Sequence, residues 1–409
     1  MMTRLVTIPF ALIALVLTTA APGFAAEPIR VGFLAPLTGI FAQAGQDMLA
    51  GLKLAFEEMN YQAGGRKIEL IEEDNEGNPA KALAKYRKLV TQDKVNVLAG
   101  VLLSNIGYQL VPNIEADRLP TLYLTSPDDL TKRKPPKWIA RANFSASQLM
   151  HPLGDYAAKT LKYKKVVTIA MDNPFGHEQI GGFQRVFEDG GGKVVQKVWV
   201  PLNAMDFAPY LSTVAADADA VCAVFVAGQA VRFVKQYADA GLKARLPLIG
   251  TGVMTDESAL RAMGDEAVGV VGALLWSPTL PNAANKTFLK LAEAKQGKTP
   301  SYFVAVMYSA GRWIGEAARL VEGHVEDREK FLAAMRKAAE TIADPRGPIK
   351  LDAFNNPDQN VYILKVERVG GKLQNTVIHT YPLVSQFWTD KPEDFLKLPP
   401  YTRDYRTPK

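Results

Sequence analysis

Short apolar runs alternate with helix-patterned segments along this chain, and the alternation occurs twice. Residues 29–34, 67–73, 95–100 and 121–124 are rich in Val, Ile and Leu and read as strands, while residues 45–60, 79–92 and 104–118 between them carry apolar side chains at helical spacing. This order makes β-α-β units around a mostly parallel sheet. A second set follows, with strands at 166–171, 193–199, 220–226 and 246–250 and helices at 178–189, 207–216, 229–240 and 257–263. The expected fold class is therefore α/β, with two Rossmann-like lobes. The short strand 138–142 leads through Asn143-Phe144-Ser145 to the second lobe, and the strand 268–276 runs into Ser277-Pro278, a second crossing. Helices at 283–296, 302–322 and 326–339 return to the first lobe, Pro345-Arg346-Gly347-Pro348 breaks the chain, and strands at 361–369 and 375–381 belong to the second. Three crossings make a three-segment hinge. The division expected is 28–142 plus 277–348 for lobe 1, 143–276 plus 349–384 for lobe 2, and a C-terminal extension at 385–409.

The N-terminus indicates where the chain works. Arg4, an apolar run over residues 5–21 and Gly23-Phe24-Ala25 have the order of a cleavable secretory signal, read as residues 1–25, and the run is short for a membrane anchor. Cys222 is the only cysteine, so no disulfide forms within the chain and the core must stabilise the exported protein. The net charge of +6 is spread out. Its densest spots, Lys132-Arg133-Lys134 and 162–165, lack the interleaved aromatics of a nucleic-acid surface. No nucleic-acid partner is expected. His151, His177, His324 and His379 are scattered without metal-ligand spacing, no G-x-S-x-G elbow is present, and Cys222 lies in an apolar strand. No metal, no cofactor and no enzymatic activity are expected.

In open parallel sheets, ligands bind beyond the carboxyl ends of the strands, where helix N-termini present unpaired N–H groups and partial positive charge. The loops so placed are 37–43, 102–107, 125–128, 173–177, 227–229 and 251–255. A phosphate is not the expected occupant: Gly32, Gly39 and Gly45 do not give G-x-G-x-x-G, and no G-x-x-x-x-G-K-[ST] occurs.

The segments "GFLAPLTGIFAQAGQDMLAGLKLAFEEMN", "ELIEEDNEGNPAKALAKYRKLV", "AGVLLSNIGYQLVPNIEADRLPTLYLTSP" and "MDNPFGHEQIGGFQRVF" resemble, in order, the type I periplasmic substrate-binding proteins of ABC importers, in the branched-chain amino-acid-binding group. The resemblance implies a periplasmic, monomeric protein whose lobes close on a small molecule and deliver it to a membrane permease. It implies that Ser104, after Leu103, holds a ligand carboxylate with neighbouring N–H groups, although a serine there also serves as an N-cap. Thr125 and Ser126 match the loop that completes this site, or form an ordinary turn. Phe175 stands where the family commonly has a Tyr before Gly and would cover the bound side chain. Phe225, Ala227 and Gln229 match a strand-to-helix junction facing the cleft, with Phe225 alternatively in the core. Phe41 and the loop with Thr251 and Met254 complete the expected ligand-binding set.

Departures from that pattern bear on the ligand. Amino-acid binders need an acid for the ammonium, and Thr251-Gly252-Val253-Met254 offers none, while Asp256 is placed to cap a helix. Ala44 replaces a large aromatic. The extension "SQFWTDKPEDFLKLPPYTRDY" resembles tails in a subgroup linked to aromatic-acid uptake. The expected ligand is a small carboxylate, preferably an aromatic or phenylpropanoid acid. The alternatives are a branched-chain amino acid or amide, a sensor that reports its ligand to a membrane receptor, and, last, an enzyme.

Overall fold

The computed structural model describes residues 27–133 and 135–408. The expected signal segment and Lys134 lie outside the described residues. Among those described, no helix is long and apolar enough to cross a membrane.

The first sheet has six strands: β1 (Ile29–Ala35), β2 (Gln62–Ala63), β3 (Arg66–Asp74), β4 (Val97–Gly100), β5 (Thr121–Tyr123) and β6 (Ile139–Arg141), ordered β2-β3-β1-β4-β5-β6. Only the β2–β3 pairing is antiparallel. The register aligns Leu34, Gly100, Tyr123 and Arg141 across β1, β4, β5 and β6, so four carboxyl ends finish along one edge. The second sheet contains β7 (Lys165–Met171), β8 (Lys193–Val200), β9 (Ala220–Val224), β10 (Leu248–Thr251) and β11 (Val271–Leu274), all parallel, extended by antiparallel β12 (Ile349–Leu351), β13 (Pro357–Val369) and β14 (Lys372–Val384). The central strands β1, β4 and β9 are buried on both faces, which is why they read as continuous apolar runs.

Helices α1 (Ala42–Glu58), α2 (Pro79–Thr91) and α3 (Ser104–Asp117) accompany the first sheet, and α4 (Asp128–Thr131) is a single turn between β5 and β6. α5 (Ala146–Lys159) and α6 (Pro174–Asp189) pack on each other beside the second sheet. Helix Tyr302–Leu320 returns to pack along α1, and the contact is close because both helices carry glycine there. A Cβ on Gly51 would stand 2.3 Å from the Val304 carbonyl oxygen, and one on Gly311 would stand 2.6 Å from Ala55 Cβ.

Two expected helices shrink to single turns, Ala208–Leu211 and Glu257–Leu260, while α6 begins four residues earlier than its apolar pattern, at Pro174. Asn173 explains that start: its side chain accepts from the Gly176 N–H at 2.9 Å, and Pro174 occupies the first helical position.

Residues beyond β14 lie against α5 and α6 and reach the α4 turn. Phe387, Phe395, Tyr401 and Tyr405 form their own apolar cluster there. Arg133 donates to the carbonyls of Leu396 and Leu398 at 2.8 and 2.7 Å, and Tyr401 Oη lies 3.1 Å from His151 Nε2.

Candidate functional site

Between the two sets of strand ends lies a cleft built from both sheets and from one crossing segment. Leu102, Leu103, Ser104, Leu124 and Ser126 come from the ends of β4 and β5, with Ala44 from α1 and Tyr302 and Phe303 from the returning helix. Met171, Asn173, Phe175, Val226 and Val253 face them from the second sheet, and Asn143 stands in the crossing. The space between the walls, counting the mouth open to solvent, is about 460 Å³, and little of it is wider than a water molecule, so the gap is a slot.

Among the described residues, no Asp, Glu, Lys, Arg or His lines this slot. Its polarity comes from neutral groups and helix ends. α3 starts at Ser104 with Leu103 as its cap residue and no side chain capping it, which leaves its first N–H groups without side-chain partners. α6, helix Ala227–Asp239 and helix Tyr302–Leu320 also begin at the wall, so four N-termini contribute partial positive charge. Ser126 Oγ accepts from Asn143 Nδ2 at 3.2 Å, which leaves the serine proton free to be donated. The apolar part includes three aromatic rings. Tyr302 and Phe303 stand with centroids 4.2 Å apart, and burial raises the Tyr302 hydroxyl's pKa, so it is a neutral donor.

Four expected residues, Leu103, Ser104, Ser126 and Phe175, stand on the wall. The others stand off it, each for a local reason. Leu124 and Ser126 face the slot while Thr125 turns the other way, where a Cβ on Gly107 would meet its Cγ2 at 2.6 Å. Phe225 packs between Phe207 and Phe233, with centroids at 5.2 and 4.5 Å, while the next residue, Val226, faces the ligand space. Thr251 and Met254 are fully buried on either side of Val253. Gln229 donates to the Pro201 carbonyl at 3.0 Å and so fastens a loop, and Ala227, at φ +51°, turns the chain into its helix. Phe41 is buried close to Leu103 and Gly77.

Tyr302, Phe303 and Asn143 were not among the expected residues. Asn143 lies in the first crossing segment, whereas Tyr302 and Phe303 open the helix that follows Ala283–Gln296, and no local signal in the sequence points to them. Asp256 lies behind the wall. It caps the turn Glu257–Leu260 by accepting from the Ala259 N–H at 3.0 Å and from Ser258 Oγ at 2.7 Å, and burial pushes its pKa up to about 7.

The periplasmic binding protein family model matches residues 28–372. An ABC transporter substrate-binding protein from Sphaerobacter thermophilus superposes with a TM-score of 0.82 at 33% identity, covering 88% of this chain and 99% of that one. A solute-binding protein of an ABC transporter from R. palustris, in complex with benzoate, superposes at 0.81 and 32% identity, covering 86% and 96%. A Leu/Ile/Val-binding protein homolog from Brucella melitensis biotype 1 is 27% identical over 374 residues, 90% of this chain and 95% of its own length.

Proposed function

Because the chain belongs to the periplasmic binding protein family, and is a substrate-binding protein of ABC transport, we propose that its slot takes a small aromatic carboxylate for delivery to the permease. One observation carries the choice of ligand: the slot has aromatic walls and helix N-termini but, among the described residues, no carboxylate. The N-termini and the hydroxyls of Ser104 and Ser126 suit an anion. An amino acid would also bring an ammonium, and a cation enclosed without a partner is strongly disfavoured. Phe175, Tyr302 and Phe303 offer ring faces and edges to a planar group. The benzoate complex of the R. palustris relative agrees with this chemistry.

Closure follows from the same wall. A ligand that touches both sheets gains contacts only when the lobes are together, and that extra affinity draws the population to the closed form. The permease then reads the paired lobe surfaces.

A branched-chain amino acid is the second reading, favoured by the Leu/Ile/Val-binding homolog and by the apolar wall. Uptake of labelled benzoate and leucine by a strain lacking the protein, with and without the gene restored, separates the readings. Loss of benzoate uptake supports the proposal. Loss of leucine uptake alone supports the second reading, and unchanged uptake with a lost transcriptional response makes the protein a sensor.

A further inference from the structure

Asn143 sits at the first crossing between the lobes, fully buried, and forms part of the slot wall. Its Nδ2 donates to the Leu124 carbonyl at 2.7 Å and to Ser126 Oγ at 3.2 Å. These bonds fix which way the amide faces, because a reversed amide would set carbonyl against carbonyl. Oδ1 is then a committed acceptor, and no donor among the described residues reaches it with hydrogen-bond geometry. The Tyr302 hydroxyl lies near the same amide, and its pKa, raised mainly by burial, is partly held down by Asn143. A buried carbonyl without a donor is costly, and in a binding wall the ligand is the group that arrives to meet it.

We infer that Asn143 is a specificity residue that selects an acid bearing a hydroxyl on the carbon next to its carboxylate, a 2-hydroxy aromatic acid of the mandelate type. The inference rests on the carboxylate reading above. Within an amide the oxygen and nitrogen share one carbon, so Oδ1 lies within roughly 5.5 Å of Ser126 Oγ. A carboxylate held by Ser126 therefore has the unpaired acceptor beside it. An α-hydroxyl stands close to the carboxylate oxygens and spans that distance with two ordinary hydrogen bonds. A para-hydroxyl lies across the ring and points away from the anchor. An α-ammonium offers the same donor but leaves its charge unpaired among neutral wall residues.

Calorimetric titration of the mature protein with mandelate, phenylacetate and phenylglycine tests this, in the wild type and in Asn143→Leu and Ser126→Ala. The wild type is expected to bind mandelate about tenfold tighter than phenylacetate and phenylglycine more weakly than either acid. In Asn143→Leu the gap between the two acids closes to within about twofold, and in Ser126→Ala both weaken together. Should Asn143→Leu fail to fold, the wild-type comparison still decides. Equal binding of mandelate and phenylacetate overturns the role of Asn143 and leaves the carboxylate reading standing. Tighter phenylglycine binding overturns the hydroxyl in favour of an amine, and failure of both acids to bind overturns the carboxylate reading itself.

Discussion

Two of the regions between the sheets, the slot and a charged junction, are built from opposite chemistry. At the slot the walls are neutral, with hydroxyls, helix ends and one amide oxygen, Asn143 Oδ1, that has no partner among the described residues. At the junction of α3 and α4 with α5, α6 and the C-terminal residues, the groups are charged and paired with one another. Lys132 Nζ stands 3.0 Å from Asp128 and 2.5 Å from Ser147 Oγ, and lies 4.8 Å from the centre of the Phe395 ring. Glu178 accepts from Tyr108 Oη and from the Asp128 N–H, both at 2.9 Å, and so ties α6 to α3 and α4. Burial raises the Glu178 pKa, with the Asp128 charge adding to it, and burial lowers that of Lys132. Arg185 pairs with Asp390 and lies 5.1 Å from the Phe395 ring. The neutral wall keeps one buried acceptor unpaired, whereas the charged groups of the junction are paired within the scaffold.

The largest effect should come from breaking the charged junction. Lys132→Met removes the cation paired with the buried Asp128 carboxylate beside Glu178, and loss of one partner of a buried pair costs about 3–5 kcal/mol. Chemical denaturation should show that loss of stability, and a change below about 1 kcal/mol would mean that the junction is not a staple. At the neutral site the order reverses, with affinity changing and stability largely kept. Phe175→Ala removes a half-buried ring from the wall and should weaken benzoate binding about tenfold or more, with an unfolding midpoint close to that of the wild type. An unchanged Kd would remove Phe175 from the site.

The smallest effect is in pH dependence and comes from acids behind the slot. Burial raises Glu257 to about 8, with Asp256 adding its charge, and raises Asp256 to about 7. Raised carboxyls hold protons in the folded state that the unfolded chain releases, so their contribution is complete below the unfolded values near 4 and is lost as pH rises to 7–8. Glu257→Gln keeps an acceptor for Asn375, which donates to Oε1 at 2.9 Å, and should flatten the decline between pH 5 and 8 by of order 1 kcal/mol. An unaltered pH profile would show that Glu257 is ionised in the folded protein.

Much of this architecture could be read in the chain before folding. Apolar runs bounded by turn residues marked the parallel strands, and the breaks at Asn143, Ser277-Pro278 and 345–348 fell where the chain passes between sheets. The site was legible to the level of the loop and not of the side chain. Direction alternates along the extended chain just past β5 and β9, so a one-residue ambiguity separates Thr125 from Leu124 and Ser126 and Phe225 from Val226, while in the 3-10 turn Gly252–Thr255 Val253 lines the slot and Met254 is buried. Phe225 also satisfies the core as readily as a cleft, and only the surrounding Phe207 and Phe233 decide between them. Tyr302 and Phe303 reach the slot from far along the chain, through the packing of their helix on α1, and no local pattern encodes that return. The C-terminal segment packs its aromatic residues against α5 and α6. The buried ion pair and His151 beneath it are tertiary facts.

The most direct measurement is a calorimetric comparison of benzoate and leucine binding to the ligand-stripped protein at neutral pH. A wall with helix N-termini, aromatic rings and no acid should bind benzoate at about micromolar Kd, roughly 8 kcal/mol, with leucine at least about 100-fold weaker. Tight leucine binding with no heat from benzoate would contradict it.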